Sequence, residues 1–175
     1  MKKQFILLTS LFLFLGLHVI NAQATQQECT IKYNLFKGDY QSKKYDDAFP
    51  NWIYLMDNCP TLSINIYKLG DKLTEARFKK ATNKTEALVL VKRVYKQRLE
   101  YFPSEDPAKV HSDYATFLVK NKLATDDEVF EILELAYSID PTRMGVKNIY
   151  RYFQGITDAN KDTNPQKVFD TYDDV

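Results

Sequence analysis

The sequence has few of the residues on which enzyme and metal sites depend. It contains two histidines and two cysteines among 175 residues, and His18 lies in an N-terminal apolar run. The other histidine, His111, is not accompanied by a nucleophile elbow, a glycine-rich phosphate loop or a metal-ligand spacing. We therefore interpret His111 as a helix-surface residue, and we predict no catalytic residue, no cofactor and no enzymatic activity.

An excess of charge of either sign is also absent. The chain has 24 Lys and Arg against 23 Asp and Glu, which gives a formal net charge of +1. Because nucleic acids and anionic membranes are recognised by strongly basic surfaces, this balance predicts neither as a partner. The hydrophobic content of 45% with only five glycines is typical of a folded chain rather than a disordered one.

Long apolar runs are missing except at the start. Two lysines precede an apolar run over residues 5–20, which is short for a helix that must span about 20 residues of membrane. The small-x-small pattern Ala22-Gln23-Ala24 follows. We predict a signal peptide over residues 1–24, cleaved near Ala24, and an exported protein that is periplasmic or associated with the outer membrane. The alternative is an uncleaved anchor. No integral membrane segment is expected after cleavage, and Cys29 lacks the preceding residues that lipid attachment needs.

Apolar residues recur at helical spacing, and no segment shows the alternation of a strand. We predict an all-α protein of seven to eight helices. The first helix is predicted over residues 30–41, and the second after an N-cap at Asp47, which places Pro50 at the third helical position. Further apolar residues at helical spacing predict a third, fourth, fifth and sixth helix. The residues expected to face inward in the first, seventh and last helices are Ile31, Leu35, Phe36, Tyr40, Val146, Ile149, Tyr150, Phe153, Val168, Phe169 and Tyr172.

The helix boundaries predict a repeating architecture. Pro60, Pro103 and Pro141 mark breaks, and two capping-box patterns, Asn83 with Glu86 and Thr125 with Glu128, introduce further helices. Two helices recur in roughly 35 to 45 residues, which is typical of a stacked array of helix hairpins. A compact helix bundle is the alternative fold.

Two stretches resemble the tetratricopeptide repeat family. Tyr45-x-x-Ala48, Trp52, Leu55 and Pro60 match the second helix of its 34-residue unit, and the segment Ala136-Tyr137-Ser138-Ile139-Asp140-Pro141 is similar to its repeat ending. The resemblance covers most of residues 30–153 and implies a TPR-like α-solenoid whose concave surface binds another protein. The leader with the first repeat also resembles secreted repeat proteins of Bacteroidota-type bacteria, some of which serve envelope secretion or motility machinery.

We assign the repeat domain to residues 25–157. Residues 158–175 form a loop and the start of a further helix, which we expect either to continue beyond Val175 or to fray. Within the loop, Asp158, Asn160 and Asp162 have the alternate spacing of a calcium loop. Thr163 replaces the required glycine, and Phe169 replaces the closing glutamate. We therefore predict no metal site, and interpret the segment as a polar loop with Asn164 as a helix cap.

Cys29 and Cys59 lie at equal distances on either side of a turn near Lys44. In an antiparallel hairpin these positions are adjacent, and an exported chain meets an oxidising compartment. We predict a Cys29–Cys59 disulfide, which would stabilise the fold by about 3 to 4 kcal/mol. Two unpaired thiols are the alternative.

The function predicted from these patterns is a non-enzymatic protein–protein interaction scaffold of the bacterial cell envelope, possible partners being components of a secretion or motility assembly. The alternative is an envelope protein that binds a glycan or another small ligand. The candidate partner-binding residues on the first helices of the hairpins are Asn34, Lys37, Tyr67, Lys68, Asp71 and Tyr114.

Overall fold

The computed structural model describes residues 24–174, a range built of α-helices connected by short turns and free of strands. The helices are α1 (Gln26–Gln41), α2 (Tyr45–Asn58), α3 (Asn65–Lys80), α4 (Lys84–Tyr101), α5 (Pro107–Asn121), α6 (Asp126–Ile139), α7 (Val146–Asn160) and α8 (Pro165–Asp174), with a short 3-10 helix, Pro141–Arg143, before α7. The predicted all-α class is confirmed. The predicted signal peptide lies, apart from Ala24, outside the described residues. No helix among the described residues is both long and apolar enough to cross a membrane.

The helices pack in chain order as hairpins. α1 pairs with α2, α3 with α4, α5 with α6 and α7 with α8, and the second helix of each hairpin contacts the first helix of the next. The first helices begin at Gln26, Asn65, Pro107 and Val146, about 40 residues apart, as in helical repeat arrays. The predicted helix-hairpin array is therefore confirmed for the described part of the chain.

Local capping signals start two of the helices as predicted, and a proline opens a third. The Asn83 side chain accepts a hydrogen bond from the backbone N–H of Glu86 at 3.1 Å and caps α4. Thr125 and Glu128 form a reciprocal capping box at the start of α6. Pro107 occupies the first turn of α5, where a missing N–H costs no helical hydrogen bond.

The start of α2 corrects the sequence prediction. The helix begins at Tyr45, and the carbonyl of Lys44 accepts the first hydrogen bond, from the N–H of Ala48. Asp47 is thus an acidic residue of the first turn, where it opposes the positive end of the helix dipole, rather than the N-cap. Pro50 consequently lies inside the helix instead of at its third position.

A disulfide joins Cys29 to Cys59 across the open end of the first hairpin, with Cα atoms 5.9 Å apart. Both cysteines are buried. This confirms the predicted pairing, and it places a covalent link between the start of α1 and the end of α2.

Two of the contacts between hairpins pair an aromatic ring with a glycine. The indole N–H of Trp52 in α2 donates to the backbone carbonyl of Ile66 in α3 at 2.8 Å. A Cβ at Gly70 of α3 would lie 2.8 Å from the Trp52 ring, so only glycine lets these helices approach. At the later contact, a Cβ at Gly155 of α7 would lie 2.4 Å from the ring of Phe130 in α6. An aromatic ring on a second helix therefore packs against a glycine of the following first helix.

A buried amide connects the third and fourth hairpins. The side-chain N–H groups of Asn148 in α7 contact the backbone carbonyl of Ser112 at 2.9 Å and the hydroxyl of Thr116 at 2.8 Å, both in α5. Arg151 donates to the Asn148 carbonyl oxygen at 2.9 Å. Asn148 is 3% exposed, so these bonds satisfy a polar group that water does not reach.

Several residues predicted to face inward are instead exposed. Phe36 is fully buried, as predicted, but half of the Ile31 and Leu35 side-chain surface is open. In α7 and α8, four more residues that were predicted to face inward are exposed: Val146, Tyr150, Phe169 and Tyr172. In α7 the buried positions are Asn148, Tyr152 and Ile156, which shift the packed face away from the predicted one.

Candidate interaction surface

The six residues predicted to bind a partner lie on the first helices α1, α3 and α5 and differ in exposure. Asn34 and Lys37 are exposed on α1. Lys68 is also exposed and pairs with Glu105 at 3.3 Å, in the turn before α5. These three side chains are accessible, although they lie on different hairpins.

The structure corrects the expectation that Tyr67 is open to a partner, because its side chain is fully buried. Its hydroxyl donates to the carbonyl of Pro60 at 3.0 Å, and its ring lies 5.8 Å from that of Phe102. Burial raises its pKa well above the ordinary value. Tyr67 therefore belongs to the core of the first two hairpins and is not available to a partner in this structure.

Asp71 and Tyr114 lie in a charged and aromatic cluster between α3, α4 and α5. The guanidinium of Arg98 is 3.5 Å from the Asp71 carboxylate, and the Tyr114 ring is 4.9 Å from that of Tyr95. Arg98 is 4% exposed, which makes this a largely buried ion pair. Asp71 Oδ1 and Arg98 Nε have no hydrogen-bond partner in the described structure, so the pair is incompletely satisfied.

The protonation of Asp71 reflects that burial. Desolvation raises its pKa to about 7, the positive charges of Arg98 and Lys109 oppose the rise, and the negative charge of Asp113 adds to it. Burial, with the nearby Asp71 and Asp113 charges, also raises the pKa of Tyr95. A carboxyl that titrates near neutrality is one sign of a functional site, but here the cause is structural, since burial of the Asp71 carboxyl raises its pKa and the partner Arg98 only opposes the rise.

His111 of α5 is partly buried rather than fully at the surface. Desolvation lowers its pKa, which favours the neutral imidazole. The neutral ring is the form expected of a histidine that fills space in a helix interface.

The calcium-like segment does not form a loop. α7 continues through Asn160, so Asp158 and Asn160 project from the last helical turn. The Asn160 amide donates to the Ile156 carbonyl at 2.8 Å, and Asp158 lies 3.7 Å from the Lys161 ammonium. The three oxygen groups are thus not arranged around a common point. Among residues 24–174 no group of three or more His, Cys, Asp or Glu side chains is placed to hold a metal ion.

The structure instead contains a groove between α2, α3 and α4, with a volume of about 710 Å³. We call it the α2–α4 groove. Its apolar lining includes Phe49, Phe78, Val89 and Leu90. Its charged lining consists of the cations Arg77, Lys80 and Arg93 and the carboxylates Asp46 and Glu86. Val89 is 64% exposed, although it is a large aliphatic residue in the middle of an amphipathic helix.

The cations of the groove are held in place by contacts on its walls. The Arg77 guanidinium carbon lies 3.6 Å from the centre of the Phe49 ring, a close cation–π contact. Arg77 and Lys80 also lie 3.8 and 3.9 Å from the exposed Asp46 carboxylate, and Arg93 pairs with Asp57. An apolar lining with fixed cations at its edge suits a segment that carries apolar and acidic side chains.

Sequence reasoning missed this groove. Arg77, Lys79 and Lys80 in the last turn of α3 are explained by the helix dipole, which accounts for their charge but not for the position of Arg77 beside Phe49. The sequence did contain one signal of an exposed apolar surface on α4. Val89 is an apolar residue outside the inward-facing stripe of Ala87, Leu88, Val91 and Val94.

Comparison with known proteins identified no relative: no protein-family model, no curated protein and no solved structure matches this chain.

Proposed function

We propose that this protein is a non-enzymatic adaptor of the bacterial cell envelope, and that it binds a segment of another protein in the α2–α4 groove. The groove carries the proposal, because it combines exposed aliphatic surface with positively charged side chains at its edge. A partner segment of this kind would place aliphatic or aromatic side chains against Val89 and Leu90 and acidic side chains near Arg77 and Lys80.

The groove has the features of an interface centre. Binding would remove Val89 from water, and burial of apolar side chains supplies most of the affinity at such sites. Arg77 is stacked on Phe49, so little side-chain entropy remains to be lost when it meets a carboxylate. The positive edge would accelerate association with an acidic segment and make it sensitive to salt.

The envelope location is supported by the Cys29–Cys59 disulfide, because disulfides of this kind persist in oxidising compartments. Service to a secretion or motility assembly is part of the same proposal. The location is checked by cell fractionation combined with thiol alkylation. We expect the oxidised chain in the envelope fraction, whereas a reduced chain in the cytoplasm would contradict the location.

Site-specific photo-crosslinking tests the binding site. Benzoylphenylalanine at position 89, inside the groove, should yield a discrete crosslinked protein in intact cells. The matched control is position 131, where Glu131 is equally solvent-facing on α6 but lies outside the groove. Arg77→Glu should abolish the crosslink at position 89 because it reverses the charge beside Phe49.

Equal crosslinking at positions 89 and 131, or none at either, would contradict the adaptor proposal. If neither position crosslinks but a soluble glycan releases heat on titration into the protein, the glycan-binding alternative replaces it.

A further inference from the structure

The first helix carries an apolar face that no other described element covers. Ile31 and Leu35 of α1 are 51% and 50% exposed. Gly38 follows at the same helical spacing, and a Cβ added there would meet no atom within 4 Å. Positions i, i+4 and i+7 share one side of a helix, so these residues form a continuous strip with open space at the glycine. We call this strip the head face.

The last described helix carries a second such face. Phe169 and Tyr172, the fifth and eighth residues of α8, are 64% and 67% exposed. We call them the tail face. The fifth and eighth residues of α2 are Phe49 and Trp52, and Trp52 is fully buried against the next hairpin. The tail face thus has aromatic residues at the positions of an inter-hairpin contact, and no described element covers them.

The residues of the head face and of the tail face match the two sides of the ring–glycine contact found between hairpins inside the array. Trp52 packs against Gly70, and Phe130 packs against Gly155, in each case a ring of a second helix against a glycine of the following first helix. The head face has a glycine in a first helix and no ring, whereas the tail face has rings in a second helix and no glycine. A head face placed on a tail face would reproduce the internal contact.

The charges near the two faces are opposite. Residues 26–44, which include α1 and the turn after it, hold four lysines against two acidic residues. Residues 158–173 hold four aspartates against two lysines. Opposite net charges on two surfaces that meet favour association and discourage the pairing of like faces.

We propose that copies of this chain associate head to tail, with α8 of one copy packing on α1 of the next, so that the hairpin array continues from molecule to molecule. The contact is heterologous, since the two faces differ, and such contacts give open chains or rings rather than closed dimers. This inference concerns residues that do not line the α2–α4 groove, and it does not depend on the adaptor proposal.

Sedimentation velocity over a broad concentration series tests the proposal on the full chain. The wild-type protein should form dimers and longer species as its concentration rises, and added salt should reduce them. Ile31→Glu removes the head face and Phe169→Glu the tail face, so each variant alone should remain monomeric. Both positions are exposed, so circular dichroism should show an unchanged fold.

Mixing the two variants gives the decisive result. The Ile31→Glu protein keeps its tail face and the Phe169→Glu protein keeps its head face, so equal amounts should form a heterodimer and nothing longer. Leu135→Glu serves as the control, because Leu135 is an exposed apolar residue of α6 outside both faces, and its variant should associate like the wild type. A wild type that stays monomeric, single variants that self-associate, or a mixture without heterodimer would each overturn the proposal.

Discussion

The first and last hairpins follow the same helical register but differ in what covers them. Trp52 and Tyr172 are both the eighth residue of a second helix. Trp52 is fully buried and hydrogen-bonded to α3, whereas Tyr172 is 67% exposed and its ring centre lies 6.0 Å from that of Phe153. An aromatic residue at this position becomes core only when another hairpin packs on it. Burial in the array is therefore set by neighbouring hairpins as much as by helical periodicity.

Replacement of the two aromatic residues is the most direct test of this comparison. Trp52→Ala removes a fully buried ring and its hydrogen bond, and should lower the free energy of unfolding by about 3 to 5 kcal/mol. Tyr172→Ala should change it by about 0.5 kcal/mol or less, since most of that ring is already in water. Chemical denaturation of both variants at low protein concentration gives the values. Equal losses would show that α8 is as well covered as α2.

Removal of the disulfide tests the covalent difference between the two hairpins. Cys59→Ser opens the loop between positions 29 and 59, and should lower the stability by about 3 to 4 kcal/mol. Because the described residues contain no free cysteine, a reducing agent should destabilise the wild type to a similar extent. The same agent should have no effect on a variant in which both cysteines are serine. A melting temperature that reduction leaves unchanged would contradict the stabilising role.

Gly70 lies on a helix face that another hairpin covers, whereas Gly38 lies on an exposed helix face. Gly70→Ala places a methyl group 2.8 Å from the Trp52 ring, and should destabilise the protein by about 1 to 3 kcal/mol. Gly38→Ala meets no atom and replaces a helical glycine, so it should stabilise the monomer by about 0.5 to 1 kcal/mol. Thermal unfolding compares the pair, and a change of the same sign in both variants would argue against the close approach of α3 to Trp52 at Gly70.

Asp71 should make the stability depend on pH. Its carboxyl titrates at about 7 in the fold and near 3.8 when exposed, so the folded state retains a proton that the unfolded chain has lost. Stability should therefore fall as the pH rises from about 4 to 7, by up to about 1.4 kcal/mol per pH unit. Asp71→Asn should flatten this slope, whereas replacement of the exposed Asp162 by Asn should preserve it. Denaturation midpoints across the pH range provide the check, and an unchanged slope in Asp71→Asn would assign the effect to other groups.

The parts of the fold that sequence reasoning predicted well depend on local chemistry. Asn83 and Thr125 determine helix starts through side-chain hydrogen bonds to backbone N–H groups of the first turn, and these interactions need no distant partner. The Cys29–Cys59 pairing also followed from the hairpin alone. The start of α2 was missed because its N-cap, Lys44, makes no side-chain capping hydrogen bond and so leaves no capping signal in the sequence.

The parts that were missed depend on contacts between hairpins. Periodicity placed Ile31 and Leu35 on an apolar stripe of α1, but it does not report whether another element covers a stripe. In α7 it chose the wrong face, since Tyr150 is exposed. Tyr67 has a polar hydroxyl that made it look like a binding residue, although the Pro60 carbonyl satisfies that group inside the core. The α2–α4 groove arises where three helices meet, so no single segment contains its pattern.

The buried amide of Asn148 has a consequence for how the array assembles. Its side-chain amide contacts Ser112 and Thr116 in the observed register of α7 on α5. A shift of α7 by one turn would remove these partners and leave the amide buried and unpaired. Apolar packing alone tolerates such sliding far better. Asn148 should therefore favour one register of the fourth hairpin, because a misaligned α7 would bury its amide without hydrogen-bond partners.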